Sequence, residues 1–238
     1  LRTLPAFYAV QVSGKCPYEC AYCPYPAFCR SGKGTSSGVP ATDRTDFMKA
    51  SDFSSIVDKI SSFSDDAVVS LSLWGECAYH PDIVPLVRSV LDKPGLSVLI
   101  ETTGLGWADG TLEAIADLAS RAAKSGANVS ANGRNPVNWI VSLDAAGSAC
   151  YGAAHGIPTE RADAMLREAL STVERLKGLF PGAAWPQMVR MKDNEVELET
   201  FYRFWKEKAG RVIVQKHDHF CGTIADRRVA DLSPLVRH

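Results

Sequence analysis

Three cysteines lie close together near the start of the chain. Cys16, Cys20 and Cys23 are separated by three and then by two residues, and Tyr22 directly precedes the last of them. Thiolates are the usual ligands of iron–sulfur clusters, and a cubane cluster of four irons normally takes four of them. A compact set of three therefore leaves one iron open to a ligand from outside the protein. Such a cluster can also transfer single electrons.

Two other metal sites would use the same cysteines. Zinc binds clustered thiolates and needs four ligands, and Cys29 would supply the fourth. A four-cysteine electron-transfer cluster would also include Cys29. Structural zinc usually joins two separated pairs of ligands, which this spacing does not provide. The spacing favours the three-cysteine cluster, and the alternative from another functional class is a non-catalytic, zinc-stabilised binding module. Cys77, Cys150 and Cys221 are interpreted as buried or idle thiols.

The chain around these cysteines alternates between short β-rich runs and segments of helical period, which is typical of βα units and a parallel sheet. The predicted strands are residues 7–12, 67–73, 97–101, 138–143, 186–191 and 211–215. The predicted helices are a segment with helical spacing over 47–60, then 81–91, 112–124, 162–176 and 195–208. Right-handed crossovers between parallel strands predict an α/β fold, a partial (β/α)6 parallel barrel of TIM-barrel type.

The loops after the strands of such a barrel share one face, and the unusual residues of this chain are found there. They fall in residues 16–29, 74–80, 102–107, 144–155, 192–194 and 217–222, each just after a predicted strand. Residues 30–38, rich in Gly and Ser, lie on the same face and form a candidate lid. Residues 125–136 precede a strand and are expected to be a surface loop on the far face.

The cysteine motif resembles the signature of the radical S-adenosylmethionine (radical SAM) superfamily, with its spacing and its aromatic residue after the first strand. The resemblance extends over all six predicted strands. Residues 74–76, Trp-Gly-Glu, resemble the superfamily's Gly-Gly-Glu after strand two, with tryptophan in place of the first glycine. Residues 142–144, Ser-Leu-Asp, resemble its polar residues after strand four. The resemblance implies a 4Fe-4S cluster on the three cysteines and S-adenosylmethionine as cofactor.

The resemblance also implies roles for single residues toward that cofactor. Tyr22 would lie beside the adenine, and Gly75 with Glu76 would meet the methionyl amino group. Ser142 and Asp144 would meet the ribose or the carboxylate. Arg190, on strand five, is a candidate partner of the cofactor carboxylate, with an ordinary surface ion pair as the alternative. These roles suit the chemistry, because a carboxylate attracts an amine and hydroxyl groups bond to ribose oxygens.

The implied activity is reductive cleavage of S-adenosylmethionine to a 5'-deoxyadenosyl radical that abstracts hydrogen from a substrate. Residues 194–197, 212–214 and Cys221-Gly222 are similar to the branch whose core precedes a cysteine-rich SPASM extension. Members of that branch often modify peptides or proteins. The expected partners are a peptide, protein or small-molecule substrate and a reductant such as a flavodoxin or ferredoxin. No cysteine follows Cys221, and the sequence begins at Leu1, so residues 1–238 are interpreted as a core domain from a longer chain.

The composition argues against several other classes of protein. The 26 Lys and Arg against 27 Asp and Glu give a net charge of -1, so no overall field favours nucleic acid or acidic membranes. Apolar runs stay below the roughly 18 residues that cross a bilayer, and residues 1–10 lack the features of a signal peptide. Seven cysteines in 238 residues are too few for a disulfide scaffold. We therefore expect a soluble, cytoplasmic protein with reduced thiols.

Overall fold

Six parallel strands form one sheet whose strand order follows the chain, β1-β2-β3-β4-β5-β6. The computed structural model describes residues 6–16, 18–30, 46–125 and 135–230, without the side chains of Cys29 and Arg30. The strands are β1 Phe7–Ala9, β2 Ala67–Ser70, β3 Leu96–Thr102, β4 Val137–Ser142, β5 Ala184–Arg190 and β6 Ile213–Lys216. The sheet curves into a half-barrel, which confirms the predicted α/β fold and its partial barrel.

Seven helices in the described part of the chain connect the strands or follow them on the active face. They are α1 Tyr25–Arg30, α2 Ala50–Phe63, α3 Ile83–Leu91, α4 Thr111–Ser125, α5 Ser148–His155, α6 Thr159–Leu179 and α7 Leu198–Ala209. The amphipathic stripe predicted over 162–176 is the buried face of α6, where Leu166, Ala169, Val173 and Leu176 are buried. Burial of these apolar faces, together with residues such as Val98 and Trp139 from the strands, supplies the core.

Two strands, β1 and β2, end at least three residues earlier than predicted. β1 ends at Ala9 rather than at residue 12, and β2 ends at Ser70 rather than at residue 73. The Ser70 hydroxyl donates to the Ser72 carbonyl at 2.9 Å, closing a turn directly after β2. The residues after each strand therefore belong to the loops that surround the candidate site.

Two short helices were not predicted. They are α1, with six residues, and α5, with eight, and both follow a strand on the active face. The candidate lid lies outside the described residues apart from the backbone of Arg30, and so does most of the predicted far-face loop. After β6, the described residues include a 3-10 turn at Phe220–Gly222. No described helix is both long enough and apolar enough to span a bilayer.

Candidate active site

A cavity of about 200 Å³ opens at the carboxyl ends of the strands. All six strands or their following loops contribute to its wall. The lining residues that carry the argument below are Cys16, Cys20, Tyr22, Cys23, Trp74, Gly75, Glu76, Glu101, Thr102, Thr103, Ser142 and Gln187. The structure thus brings the three cysteines together with four of the residues predicted to bind a cofactor, namely Tyr22, Gly75, Glu76 and Ser142.

The three cysteines lie at this cavity as half-buried thiols. Burial raises the pKa of the Cys20 thiol well above its usual value, and the charges of Cys16 and Cys23 raise it further. Three thiolates are therefore unfavourable side by side unless positive charge joins them. Metal ligation supplies that charge and requires deprotonated thiols, so the donor set fits a metal cluster.

The geometry gives no support to a one-ion zinc site. Among the described residues, no three His, Cys, Asp or Glu side chains converge closely enough to hold one metal ion. Each thiolate of a cubane cluster binds a different iron, so its sulfurs lie farther apart than four ligands around one zinc. The Cys29 side chain, the suggested fourth ligand, lies outside the described residues.

The cysteine loop is fixed against the end of α5. The Glu19 N–H donates to the His155 carbonyl at 3.2 Å, and the Ala21 N–H donates to the Ala154 carbonyl at 2.8 Å. Gly156 then ends the helix at a φ of 64°, and a Cβ there would lie 2.6 Å from the Glu19 carbonyl oxygen. Only glycine allows this close approach, so α5 and its final glycine position the loop that carries the cysteines.

Gly75 brings the end of β2 against the same loop. Its φ is +83°, and a Cβ at this position would lie 2.1 Å from the Ser13 carbonyl oxygen. The next residue, Glu76, donates its N–H to the Lys15 carbonyl at 2.8 Å. Gly75 is therefore required for close packing of the backbone, and this contact joins the loops after β1 and β2.

The Glu76 carboxylate is buried, with 2% of the residue exposed, and it is held by four donors. Thr103 donates its N–H at 2.7 Å and its hydroxyl at 2.8 Å to Oε2. The Thr102 hydroxyl at 2.7 Å and the Ala78 N–H at 3.3 Å donate to Oε1. Burial raises the pKa of Glu76, while these hydrogen bonds lower it and favour the charged form. The result is an oriented carboxylate at the cavity wall.

Trp74, which replaces the expected glycine, packs onto α1. Its ring stacks on Tyr25 with centroids 5.9 Å apart and on Phe28 with centroids 5.2 Å apart. The Tyr25 hydroxyl in turn donates to the Gly14 carbonyl at 2.7 Å. The indole therefore fills a place between α1 and the cavity and secures the segment that follows the cysteines.

The remaining predicted residues fall at and behind the wall. Ser142 lines the cavity and accepts a hydrogen bond from Gln187 Nε2 at 3.4 Å. Asp144 is fully buried behind the wall, where its Oδ1 accepts the Val189 N–H at 2.5 Å and burial raises its pKa to about 7. Arg190 is not among the cavity-lining residues and forms a two-point ion pair with Glu195, at 2.7 and 2.6 Å.

Several residues of the site were not singled out from the sequence. Glu101, Thr102, Thr103 and Gln187 line the cavity, and burial raises the pKa of Glu101. Residues 102–107 had been noted as an unusual cluster after a strand, which was the available signal for the threonines. His155 was also missed, although its ring touches Cys20 from behind the cavity. Only contacts between distant segments reveal it.

Solved structures of other proteins have a fold similar to that of this chain. Streptococcus suis SuiB bound to precursor peptide SuiA superposes with a TM-score of 0.66 and 14% identity, over 95% of this chain and 43% of that one. The structure anSMEcpe with bound AdoMet gives a TM-score of 0.60 and 12% identity, over 89% of this chain and 51% of that one. Both are radical SAM enzymes. The chain has the fold of radical SAM enzymes.

Sequence comparison adds one long match. An uncharacterized protein of Treponema pallidum (strain Nichols) is 39% identical over 242 residues, which cover 100% of this chain and 61% of that protein. No protein-family model matches the sequence. The chain thus spans less than two thirds of that relative and about half, or less, of the two solved structures above.

Proposed function

We propose that this chain is the core of a radical SAM enzyme and that residues 1–238 belong to a longer protein. One observation carries the proposal: Cys16, Cys20 and Cys23 meet at a half-barrel cavity that Gly75, Glu76 and Ser142 also line. The motif spacing, the cavity and the fold all favour the same class of enzyme.

Each residue of the site has a separate proposed role. Cys16, Cys20 and Cys23 would hold three irons of a 4Fe-4S cluster and leave the fourth open. Such a cluster, when reduced, supplies one electron that cleaves S-adenosylmethionine to methionine and a 5'-deoxyadenosyl radical, which then takes hydrogen from the substrate. Glu76 would bind the methionyl ammonium, because its carboxyl group is oriented at the wall by N–H and O–H donors. Tyr22 would contact the adenine.

The other proposed cofactor contacts differ in what they require. Ser142 already lines the cavity and would bond to the ribose or the carboxylate. Asp144 lies behind the wall, so a direct contact would need its side chain to move. Arg190 would have to exchange its ion pair with Glu195 before reaching a cofactor carboxylate. We therefore propose Ser142 as the primary contact of this group.

A peptide or protein side chain is the proposed substrate. SuiB, with which this chain shares its fold, was solved with a precursor peptide. The resemblance of residues 194–197, 212–214 and Cys221-Gly222 to the SPASM-linked branch supports the same class. The electron donor would be a flavodoxin- or ferredoxin-like protein, and the location would be the cytoplasm, where thiols stay reduced.

The deciding experiment is anaerobic reconstitution with iron and sulfide, followed by reduction with dithionite in the presence of S-adenosylmethionine. Formation of 5'-deoxyadenosine by the wild-type chain, and its loss in Cys23→Ala, would support the proposal. A protein that binds zinc tightly and releases no 5'-deoxyadenosine after iron loading would contradict it.

A further inference from the structure

His155 lies behind Cys20 and has no part in the proposed cofactor contacts. It is the last residue of α5, and 1% of it is exposed. Its Nδ1 lies 3.4 Å from Cys20 Sγ. On the opposite edge of the ring, Nε2 lies 3.3 Å from the Leu143 carbonyl oxygen and 3.3 Å from Asp144 Oδ2. The ring thus spans the distance between the end of β4 and the cysteine loop.

The surroundings fix this ring before anything binds. The Tyr151 ring packs against it with centroids 4.5 Å apart, and the Tyr22 ring meets it edge-on at 6.1 Å. The backbone of Glu19 is bonded to the His155 carbonyl itself. The distance between Nδ1 and Sγ is therefore set by the packing of α5 on the loop. Rotation of either side chain away from the other would disrupt this packing.

The direction of the hydrogen bond follows from the chemistry of the sulfur. A cysteine sulfur bound to iron carries no proton, so the contact persists only if Nδ1–H donates to it. A neutral imidazole carries one N–H, so when Nδ1–H is directed at the sulfur, Nε2 is an acceptor. The carboxyl group of Asp144, whose Oδ2 lies 3.3 Å from Nε2, is placed to donate to it, and the Leu143 carbonyl then receives no hydrogen bond from the ring.

We infer that His155 donates an N–H···S hydrogen bond to the Cys20 sulfur and thereby raises the reduction potential of the bound cluster. The inference rests on the proposed function, because the cluster is part of it. Hydrogen bonds to cysteine sulfurs are among the factors that set cluster potentials. The donor stabilises the extra negative charge of the reduced cluster, so the electron needed to cleave the cofactor enters more easily. His155 is a positioning residue, and Asp144 supports its ring from behind.

A pair of variants separates the donor from the bulk of the ring. His155→Asn keeps an N–H near the position of Nδ1, and His155→Leu fills a similar volume without a donor. Potentials are measured by EPR-monitored redox titration of reconstituted protein without S-adenosylmethionine. We expect His155→Leu to lower the equilibrium constant for one-electron reduction about tenfold, which is a fall of about 59 mV in the reduction potential. We expect a smaller fall in the potential of His155→Asn. Equal potentials in wild type and His155→Leu would overturn the inference.

A measurement on the wild-type chain covers the case in which the variants assemble no cluster. Protein labelled with ¹⁵N-histidine is reconstituted and reduced, and pulsed EPR is used to detect nitrogen coupled to the cluster. We expect a ¹⁵N coupling from one histidine nitrogen. Protein with unlabelled histidine should lack this ¹⁵N signal. A reduced cluster without that coupling would overturn the role of His155 and leave the proposed function standing. A wild-type chain that assembles no cluster at all would overturn both.

Discussion

Two buried carboxyl groups, Glu76 after β2 and Asp144 after β4, differ in the donors that surround them. Glu76 accepts four hydrogen bonds from N–H and O–H groups and lines the cavity, and these bonds oppose the rise in pKa that burial causes. Asp144 accepts one short bond from Val189 and one from Tyr22, and its Oδ2 lies 3.3 Å from His155 Nε2. Burial raises the pKa of Asp144 to about 7. Both residues follow a predicted strand in the sequence, and in the structure their donors and their position relative to the cavity distinguish them.

The cysteine ligands are tested by Cys20→Ala against Cys221→Ala. Cys20 lines the cavity, whereas Cys221 is an exposed thiol on the turn after β6. Because each thiolate supplies one of only three protein attachments to the cluster, we expect Cys20→Ala to lose both colour and iron after reconstitution. Cys221→Ala should keep wild-type iron content. Full iron retention in Cys20→Ala would contradict the ligand assignment.

Glu76 is tested by Glu76→Gln, with Glu101→Gln as the matched control. Both carboxylates line the cavity, and only Glu76 is oriented by four donors. Loss of the charge should weaken S-adenosylmethionine binding about tenfold or more, because a bond to a charged group contributes about 1.5–3 kcal/mol. Isothermal titration calorimetry of reconstituted protein measures the affinity for S-adenosylmethionine. We expect the iron content of Glu76→Gln to equal that of wild type.

The amide of Glu76→Gln would also turn a donor toward the donors of Thr102 and Thr103. We therefore expect a loss of stability of about 1–3 kcal/mol beside the binding effect. Glu101→Gln should change both quantities less. Cofactor affinity equal to wild type in Glu76→Gln would exclude the proposed contact with the amino group.

At the scale of elements, the predictability of each helix followed its length and its apolar stripe. α6 has 21 residues and a continuous buried face, so local spacing identified it. α1 and α5 have six and eight residues, and α5 contains Gly152 and Cys150 in place of a clear stripe. Their stability comes from contacts made after folding, such as the Trp74 stack on α1 and the loop bonds at the end of α5. Such contacts leave little local signal.

The docking of the cysteine loop on α5 is tested by Gly156→Ala against Gly182→Ala. Both glycines have positive φ, 64° and 74°, so alanine costs about 1–2 kcal/mol of backbone strain at either position. Only at Gly156 would the new Cβ also collide with the Glu19 backbone, whereas at Gly182 no atom lies within 4 Å. We expect Gly156→Ala to displace the loop and lower iron content after reconstitution.

Gly182→Ala should lose a similar amount of stability in thermal unfolding and keep wild-type iron. Equal iron content in the two variants would mean that the loop does not depend on its contact with α5. Circular dichroism of both proteins controls for loss of fold.

At the scale of the whole molecule, the sequence predicted the parallel sheet and its partial barrel. The βα alternation placed the loops after the strands on one face, and Cys16, Glu76 and Ser142 line one cavity there. Asp144 and Arg190 were predicted with them, but a single turn at the strand end decides whether a side chain faces the cavity. Asp144 adopts a φ of 59°, a conformation that spacing alone does not indicate. The ion pair of Arg190 with Glu195 depends likewise on the packing of two loops.

The last prediction concerns how many clusters the chain holds. Cys77, Cys150 and Cys221 each follow a strand, but they lie in separate environments. Cys77 is buried in the core, Cys150 contacts the Asp193 carbonyl at 3.7 Å, and Cys221 is exposed. A second cubane needs several thiolates in one cavity, and among the described residues only Cys16, Cys20 and Cys23 share the cavity described above. The reconstituted chain should therefore hold about four irons, the content of one cubane.

The same chain should cleave S-adenosylmethionine slowly without completing the reaction of the longer protein proposed here, because further ligands and part of the substrate site would lie outside residues 1–238. Iron quantification and 5'-deoxyadenosine analysis on one preparation measure both quantities. The triple variant Cys77→Ser, Cys150→Ser, Cys221→Ser is the control and should retain the iron of wild type. A contradicting result would be about twice the expected iron in the wild-type chain, falling to half of that in this variant. A second cluster would then form within residues 1–238.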